Sequence, residues 1–196
     1  EDVLVWGAQF EQAVVPTDYV RTETSVVTPD SGIDRIESSD SFALPNGVEV
    51  LKLTGTDNVN ATGSTGNDTL IGNICNNVLT GYSGNSTRDG GAGTGTLIGG
   101  DGNDRFIFTE LIGQGIIVDF DVGASSEDIL DLTSFSSVFS LEDIQARASQ
   151  VETDTIIDLD SGVSITLLGV STVNLHEDVL LFSLTFPTFC LSGLNH

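Results

Sequence analysis

Aspartates at equivalent points of a short repeat are the residues of this 196-residue sequence best suited to chemistry. Asp68 and Asp104 each follow a glycine-rich stretch, and each stands two positions before an apolar residue, Leu70 or Phe106. Their carboxylates and the backbone carbonyls of neighbouring turns form a dense set of hard oxygen donors, which suits calcium. The sequence therefore predicts calcium-binding chemistry at these aspartates.

Signatures of enzyme active sites are nearly absent. His176 and His196 are the only histidines, and the sequence contains no zinc-ligand spacing, GxSxG elbow or GxxxxGK[ST] loop. A pair of catalytic carboxylates, as in glycoside hydrolysis, stays open because no pair can be singled out among 29 acidic residues. We expect that the chain is not an enzyme.

The charge balance limits the partners. Six basic residues against 29 acidic ones give a formal net charge of −23, which argues against nucleic acid or anionic lipid as a partner. A hydrophobic content of 39% separates the chain from disordered acidic proteins, and no apolar run is long enough to insert into a membrane. Because so many carboxylates repel one another, a cation is the expected partner.

The ends and the cysteines say less. The sequence begins at Glu1 without Met and without a basic and then apolar leader, so we expect a fragment or a processed product. Cys75 and Cys190 allow either one disulfide or two free thiols.

A nine-residue repeat must position the aspartates. Five units abut without insertion, with glycine always at the first position and an apolar residue at the eighth position of four units. Six Gly-, Asn-, Asp- and Ser-rich residues form a turn, and three residues then form a short strand whose eighth position points inward. One unit cannot bury its own leucine, so the units must stack as a β-solenoid. The units begin at Gly63, Gly72, Gly81, Gly90 and Gly99.

These units resemble the hemolysin-type calcium-binding (RTX) nonapeptide, GGxGxDxUx. The resemblance implies a parallel β-roll with two units per coil. It also implies calcium between units n and n+2, held by turn carbonyls and the sixth-position aspartate. The sixth position is occupied here by Asp68, Asn77, Ser86, Gly95 and Asp104.

Carried over residue by residue, the resemblance implies up to two calcium ions on the side where the turns that begin at residues 63, 81 and 99 stack. The other side pairs Asn77 with Gly95, so calcium is expected to bind weakly there or not at all. Arg88 at an inward apolar position and Cys75 at a glycine position depart from the pattern. The implied ligands are Asp68, Asp104 and the turn residues Gly63, Thr65, Gly81, Ser83, Gly99 and Asp101.

The flanking sequences extend the resemblance over residues 30–182. We expect a β-rich lead-in at 1–53, the roll at 54–108 and a β-rich cap at 109–196 that carries the region of a secretion signal. Residues 48–53 are predicted to form a strand, and residues 141–148 a short helix with Ser140 as its N-cap. The predicted fold is thus all-β: a parallel β-roll with a flanking β-rich cap and one short helix.

Asp119 and Asp121 stand two positions apart and are expected on one face of a strand, and Glu127, Asp128 and Asp131 follow closely. They provide either a further calcium site that ties the cap to the roll or a solvated acidic face. The asparagine-rich turns have two interpretations as well, sugar binding or structural ladders, and the structural one is favoured.

Together these features predict a secreted or cell-surface module that folds when calcium binds. Type I secretion would export the chain expanded, because calcium is scarce inside the cell. Two other roles stay open: a self-associating subunit of a surface layer, sheath or filament, and an accessory tail of a secreted protease, lipase or polysaccharide epimerase. The expected partners are calcium ions, with self-association or cell-surface polysaccharide as further contacts.

Overall fold

The computed structural model describes residues 33–109, 113–123, 126–138, 140–159 and 162–183, and the backbone of two short strands closer to the N terminus. The strands are β1 (Val3–Val5), β2 (Ser25–Val27), β3 (Arg35–Ser38), β4 (Phe42–Ala43), β5 (Val50–Leu53), β6 (Ala61–Thr62), β7 (Thr69–Ile71), β8 (Val78–Thr80), β9 (Thr87–Asp89), β10 (Gly95–Ile98), β11 (Arg105–Ile107), β12 (Gln114–Ile117), β13 (Val122–Gly123), β14 (Ser126–Glu127), β15 (Ile129–Asp131), β16 (Ala148–Val151), β17 (Asp154–Asp158), β18 (Ser164–Leu167) and β19 (Leu180–Leu181). Helix α1 covers Leu141–Arg147, and single 3-10 turns cover Thr172–Asn174 and Glu177–Val179.

Successive strands of the repeat alternate between two parallel sheets, so each coil of the chain adds one strand to each sheet. One sheet has the order β3-β5-β7-β9-β11-β15-β19, and the other contains β4-β6-β8-β10-β12-β18. Within the repeat the register advances by 18 residues, so Thr69 pairs with Thr87 and Thr87 with Arg105. The predicted parallel β-solenoid of nonapeptide repeats is confirmed.

The core consists of inward-facing columns, one from each sheet. The eighth-position residues are at most 1% exposed where they are apolar, because alternate strand residues point into the solenoid and stack on their equivalents one coil away. Arg88 stands in one of these columns and is itself 0% exposed. In order along the sheet, that column is Leu51, Leu70, Arg88, Phe106 and Leu130.

Parallel pairing continues on both sides of the repeat. β3 and β4 pair with β5 and β6, while β12, β15, β18 and β19 continue the two sheets after β11. Between β15 and β18 the chain leaves the coil to form α1 and the antiparallel strands β16 and β17. The parallel strand pairing continues across both expected boundaries, at 53/54 and 108/109. The division into a lead-in, a roll and a cap stays a prediction.

Helix α1 begins where its capping residues predict. The Ser140 hydroxyl oxygen accepts the Asp143 N–H at 3.2 Å and also lies 3.0 Å from the Asp143 carboxylate. Ile144 is the buried residue of the helix, and Ala148 turns extended to begin β16. The short helix with Ser140 as N-cap is confirmed.

Two further observations concern the whole described chain. In the ranges that the structure describes, no helix has the length and apolar character that a membrane crossing requires. Cys190 lies outside the described residues, and so does the choice between a disulfide and free thiols.

Candidate metal-binding turns

The turns that carry the predicted ligands stack along one edge of the solenoid. Residues 63–68 lead into β7, residues 81–86 into β9 and residues 99–104 into β11. The Asp68 N–H donates to the Ser86 hydroxyl oxygen at 3.0 Å, and the Ser86 N–H donates to Asp104 Oδ1 at 2.9 Å. The three sixth positions therefore form one hydrogen-bonded column, as the 18-residue coil predicts.

Glycine at the fourth position is needed for this close stacking. Gly84 has a φ of +90°, and a β-carbon there would lie 2.6 Å from the carbonyl oxygen of Gly66 in the preceding coil. Gly102 repeats the arrangement, with a φ of +130° and a distance of 2.5 Å to the carbonyl oxygen of Gly84. A side chain would separate the coils as well as strain the backbone.

Asp68 is a buried carboxylate without a counter-charge in the described chain. Its side chain is 3% exposed, and Oδ2 and Oδ1 accept hydrogen bonds from the Ser64 N–H at 2.5 Å and the Ser64 hydroxyl at 3.1 Å. No basic side chain in the described ranges forms an ion pair with it. Because burying an uncompensated carboxylate is costly, its surroundings suit a cation.

Asp104 occupies the equivalent position but has a cation beside it. Its Oδ1 lies 2.9 Å from Nη1 of Arg88, whose Nη2 donates to the carbonyl oxygen of Gly99. Asp104 Oδ2 is buried and accepts no hydrogen bond within the described residues. Burial raises the pKa of the Asp104 carboxyl above its ordinary value, and the Arg88 charge offsets only part of that effect.

The third positions of the turns form a rim beside the column. Ser83 pairs with Asp101 in a parallel bridge, and the Ser83 hydroxyl donates to the Thr65 carbonyl oxygen at 3.3 Å. Thr65 and Asp101 are exposed, whereas the first-position glycines are buried. The structure thus brings together, turn by turn, the remaining implied ligands: Gly63, Thr65, Gly81, Ser83, Gly99 and Asp101.

Asp119 and Asp121 do not share a strand face. β12 ends before both residues, and the chain bends at Asp119, whose carboxylate accepts the N–H groups of Gly99 and Gly100 at 2.7 and 2.8 Å. The Asp121 carboxylate accepts the Gly123 N–H at 2.7 Å. The expectation of a common strand face is wrong, and Asp119 instead closes the start of the 99–104 turn.

Asp128 belongs to the same column, although the repeat register does not reveal it. Its Oδ1 accepts the Asp104 N–H at 2.8 Å and its Oδ2 the Asp121 N–H at 2.9 Å. Burial raises the pKa of the Asp128 carboxyl to about 6, with the charges of Asp104 and Asp119 adding to the shift. Like the repeat aspartates it stands two positions before a buried residue, Leu130, so its spacing matches theirs although it lies outside the repeat.

The opposite edge is built from neutral amides. Asn77 Oδ1 accepts the Asn73 N–H at 2.9 Å, and Asn77 Nδ2 donates to the Val59 carbonyl oxygen at 2.6 Å. An amide both donates and accepts, so this turn is closed without a charge.

Exposed asparagines form ladders between coils. On the Asp68 edge, Asn67 Oδ1 accepts the Asn85 N–H at 2.8 Å, and Asn85 Oδ1 accepts the Asn103 N–H at 3.0 Å. On the other edge, Asn58 Oδ1 accepts the Asn76 N–H at 3.1 Å. The asparagine ladders that the structural interpretation predicts are present, and sugar binding by these turns stays a prediction.

Acidic, histidine and cysteine side chains do not converge in threes on a metal-sized position anywhere in the described ranges. The ligand set that the resemblance implies is of another kind, with turn carbonyls and one carboxylate per site.

Comparison with solved structures gives a structural likeness, whereas the other comparisons find no match. No protein-family model and no curated protein matches the chain. Among solved structures, the chain is similar to the extracellular lipase LipA from Serratia marcescens, with 20% sequence identity and a TM-score of 0.46. The match covers 81% of this chain and 24% of the lipase chain, so the chain spans about a quarter of that protein's length.

Proposed function

We propose that this chain is a calcium-binding RTX-type module in which one calcium ion binds between the 63–68 and 81–86 turns and stabilises the solenoid. The observation that carries the proposal is the Asp68 carboxylate, which is 3% exposed and has no basic partner among the described residues. A divalent cation would neutralise this buried charge, and calcium prefers oxygen ligands of the kind that the turn carbonyls offer.

The residues that would hold the ion come from both turns. Asp68 supplies the carboxylate, while the carbonyls of Gly63, Thr65, Gly81 and Ser83 supply neutral oxygens. The Ser83 hydroxyl already contacts the Thr65 carbonyl at 3.3 Å, so the two rims are within direct reach of one another. The bound ion supplies charge neutralisation and cross-links two coils.

Calcium binding would act as folding free energy. With a net charge of −23 the chain repels itself, and an ion bound only to the folded coils shifts the balance toward them. At a calcium concentration 100 times Kd, one site contributes about 2.7 kcal/mol to stability. Extracellular calcium modules bind with Kd of about 10⁻⁴ to 10⁻³ M, which matches a role outside the cell.

A calcium titration of wild type and Asp68→Asn tests the proposal by far-UV circular dichroism and thermal melting. Asparagine keeps the size and one acceptor for the Ser64 N–H but removes the charge. In calcium at about 10 mM, well above that Kd range, the variant should lose most of the calcium-induced rise in Tm. In EDTA it should melt at or above the wild-type temperature, because an uncompensated buried carboxylate has been removed.

The matched control is Asp57→Asn, which makes the same change of charge at an exposed turn on the opposite edge. This control should keep the wild-type calcium response, and magnesium should not reproduce the effect. An unchanged calcium midpoint in Asp68→Asn would refute the site. A wild-type melt that is identical in EDTA and in calcium would refute the function.

Secretion, self-association, contact with cell-surface polysaccharide and a role as an enzyme's accessory tail stay predictions from the sequence. The proposal assigns the chain no catalytic step.

A further inference from the structure

Arg88 is the one charged residue in the inward column that also contains Leu70, Phe106 and Leu130, within the described chain. The equivalent eighth positions of the other repeat units are apolar. A fully buried guanidinium is costly unless an anion and hydrogen-bond acceptors receive it, so its surroundings indicate why it is tolerated.

The guanidinium lies between the 81–86 and 99–104 turns. Nη1 is 2.9 Å from Asp104 Oδ1, and Nη2 donates to the Gly99 carbonyl oxygen. The same nitrogen lies against Gly81, where a β-carbon would overlap it. Asp104, Gly99 and Gly81 are three of the ligands that the resemblance assigns to a second calcium ion.

We propose that Arg88 is the resident cation of the second inter-turn site and that it excludes calcium there. The inference rests on the proposed calcium chemistry of the stacked turns and names the turn pair that does not use it. A guanidinium and a calcium ion would compete for the same carboxylate and carbonyl oxygens. Their like charges would also repel one another if both occupied the same site. The chain therefore takes calcium at Asp68 and supplies its own cation at Asp104.

The pairing also leaves donors and acceptors unused. Arg88 Nε, Arg88 Nη1 and Asp104 Oδ2 are buried without a hydrogen-bond partner among the described residues, so the contact between Nη1 and Asp104 Oδ1 is an ion pair without hydrogen-bond geometry. Asp104 thus keeps an acceptor oxygen that a metal ion could use once the guanidinium is gone. Removing Arg88 should consequently create a calcium site as well as leave a buried charge unpaired.

The test compares Arg88→Leu with Arg88→Leu/Asp104→Asn in the full 196-residue chain. Leucine is the residue found at the equivalent positions 70, 79 and 97, so the packing type is kept. Isothermal titration calorimetry should show one more calcium per chain for Arg88→Leu than for wild type, and the double variant should return to the wild-type number. In EDTA, Arg88→Leu should melt well below wild type, and calcium should recover most of that loss.

Each outcome decides the inference. An Arg88→Leu chain that folds only when calcium is present supports it, whereas one that folds in neither condition overturns it. An unchanged calcium number in Arg88→Leu also overturns it, as does a wild-type chain that loses a calcium ion when Asp104→Asn is introduced alone. If wild type binds no calcium and Arg88→Leu binds one, the Asp68 proposal fails while this inference stands.

Discussion

Around the 99–104 turn, the Asp104 carboxylate pairs with Arg88, whereas the Asp119 and Asp128 carboxylates accept backbone N–H groups. Asp119 and Asp128 hold turn backbone through both of their oxygens. This arrangement makes the ionised form of Asp128 unfavourable, because the residue is 2% exposed and lies beside like charges. Its raised pKa makes the acidic end of the column sensitive to pH.

We expect the metal-free protein to become more stable when the pH is lowered from about 7 to about 5. The pKa of Asp128 rises from 3.8 to about 6 on folding because the carboxyl is buried, so the folded state binds more protons in that window and stability falls as pH rises through it. Between pH 7 and pH 5 the contribution of Asp128 is about 1 kcal/mol, because the folded carboxyl takes up its proton only as the pH falls through about 6. Melting in EDTA across this pH range measures it.

Asp128→Asn should flatten the slope of Tm against pH between about 5 and 7 compared with wild type, whatever its absolute Tm.

Asp131 affects stability in the opposite direction. Burial raises the pKa of its carboxyl, but hydrogen bonds from Thr133 and the Arg105 ion pair outweigh that effect and lower the pKa. Its stabilisation is lost as pH falls below about 4, so Tm should decline again there. For the window between pH 5 and 7, a slope that is the same in wild type and Asp128→Asn would contradict the assignment of that pH dependence to Asp128.

At the scale of elements, the stacked turns depend on glycine in two separable ways. Gly84 has a positive φ, which an L side chain rarely adopts. It must also lack a β-carbon, because the Gly66 carbonyl oxygen of the preceding coil lies against that position. Gly47 has a similar φ of +88°, but nothing lies within 4 Å of its missing β-carbon. The pair therefore separates backbone strain from coil packing.

We expect Gly84→Ala to destabilise the chain more than Gly47→Ala. Both variants carry a left-handed backbone cost of about 1 to 2 kcal/mol. Gly84→Ala adds an overpacking cost of about 1 to 3 kcal/mol, because a backbone carbonyl cannot rotate away. Urea unfolding of both variants gives the comparison, and equal losses would show that the coils are not in contact at this turn.

Much of the element scale could be predicted from the sequence because the repeat is local. A glycine at a fixed spacing, six turn residues and an inward leucine specify one unit, and units of equal length can only stack in register. Helix α1 could be predicted for a similar reason, since Ser140 directly precedes the helix and caps its first turn by accepting the Asp143 N–H. Asp119 was misplaced because its partners, Gly99 and Gly100, are 20 and 19 residues away along the chain.

At the scale of the whole molecule, the net charge of −23 opposes folding, because the carboxylates of the compact chain repel one another. The parallel ladders extend from β3 to β19, so the mutually repelling carboxylates are distributed along one continuous stack of coils. A solenoid of this kind is stabilised by contacts between neighbouring coils, and a change at one coil is felt mainly by the next.

We expect salt to stabilise the calcium-free protein. Raising sodium chloride from about 20 mM to about 500 mM shortens the screening length from about 20 Å to under 5 Å, which weakens repulsion among the carboxylates. Tm in EDTA should therefore rise with salt, and the rise should be smaller in saturating calcium. Choline chloride at equal ionic strength is the control for specific sodium binding, and a flat response would show that the net charge does not limit stability.

The sequence by itself determined the solenoid, because it follows from a period that neighbouring residues carry, and the resemblance to the RTX nonapeptide implied the two-unit coil that aligns Asp68, Ser86 and Asp104. Tertiary structure alone decided how those aspartates differ. Arg88 reaches Asp104 across 16 residues of chain to neutralise it, Asp128 joins the column from 24 residues away, and Asp68 is left without a basic partner among the described residues. A repeat pattern records equivalent positions, whereas the charge that surrounds each position depends on side chains brought together only when the coils stack.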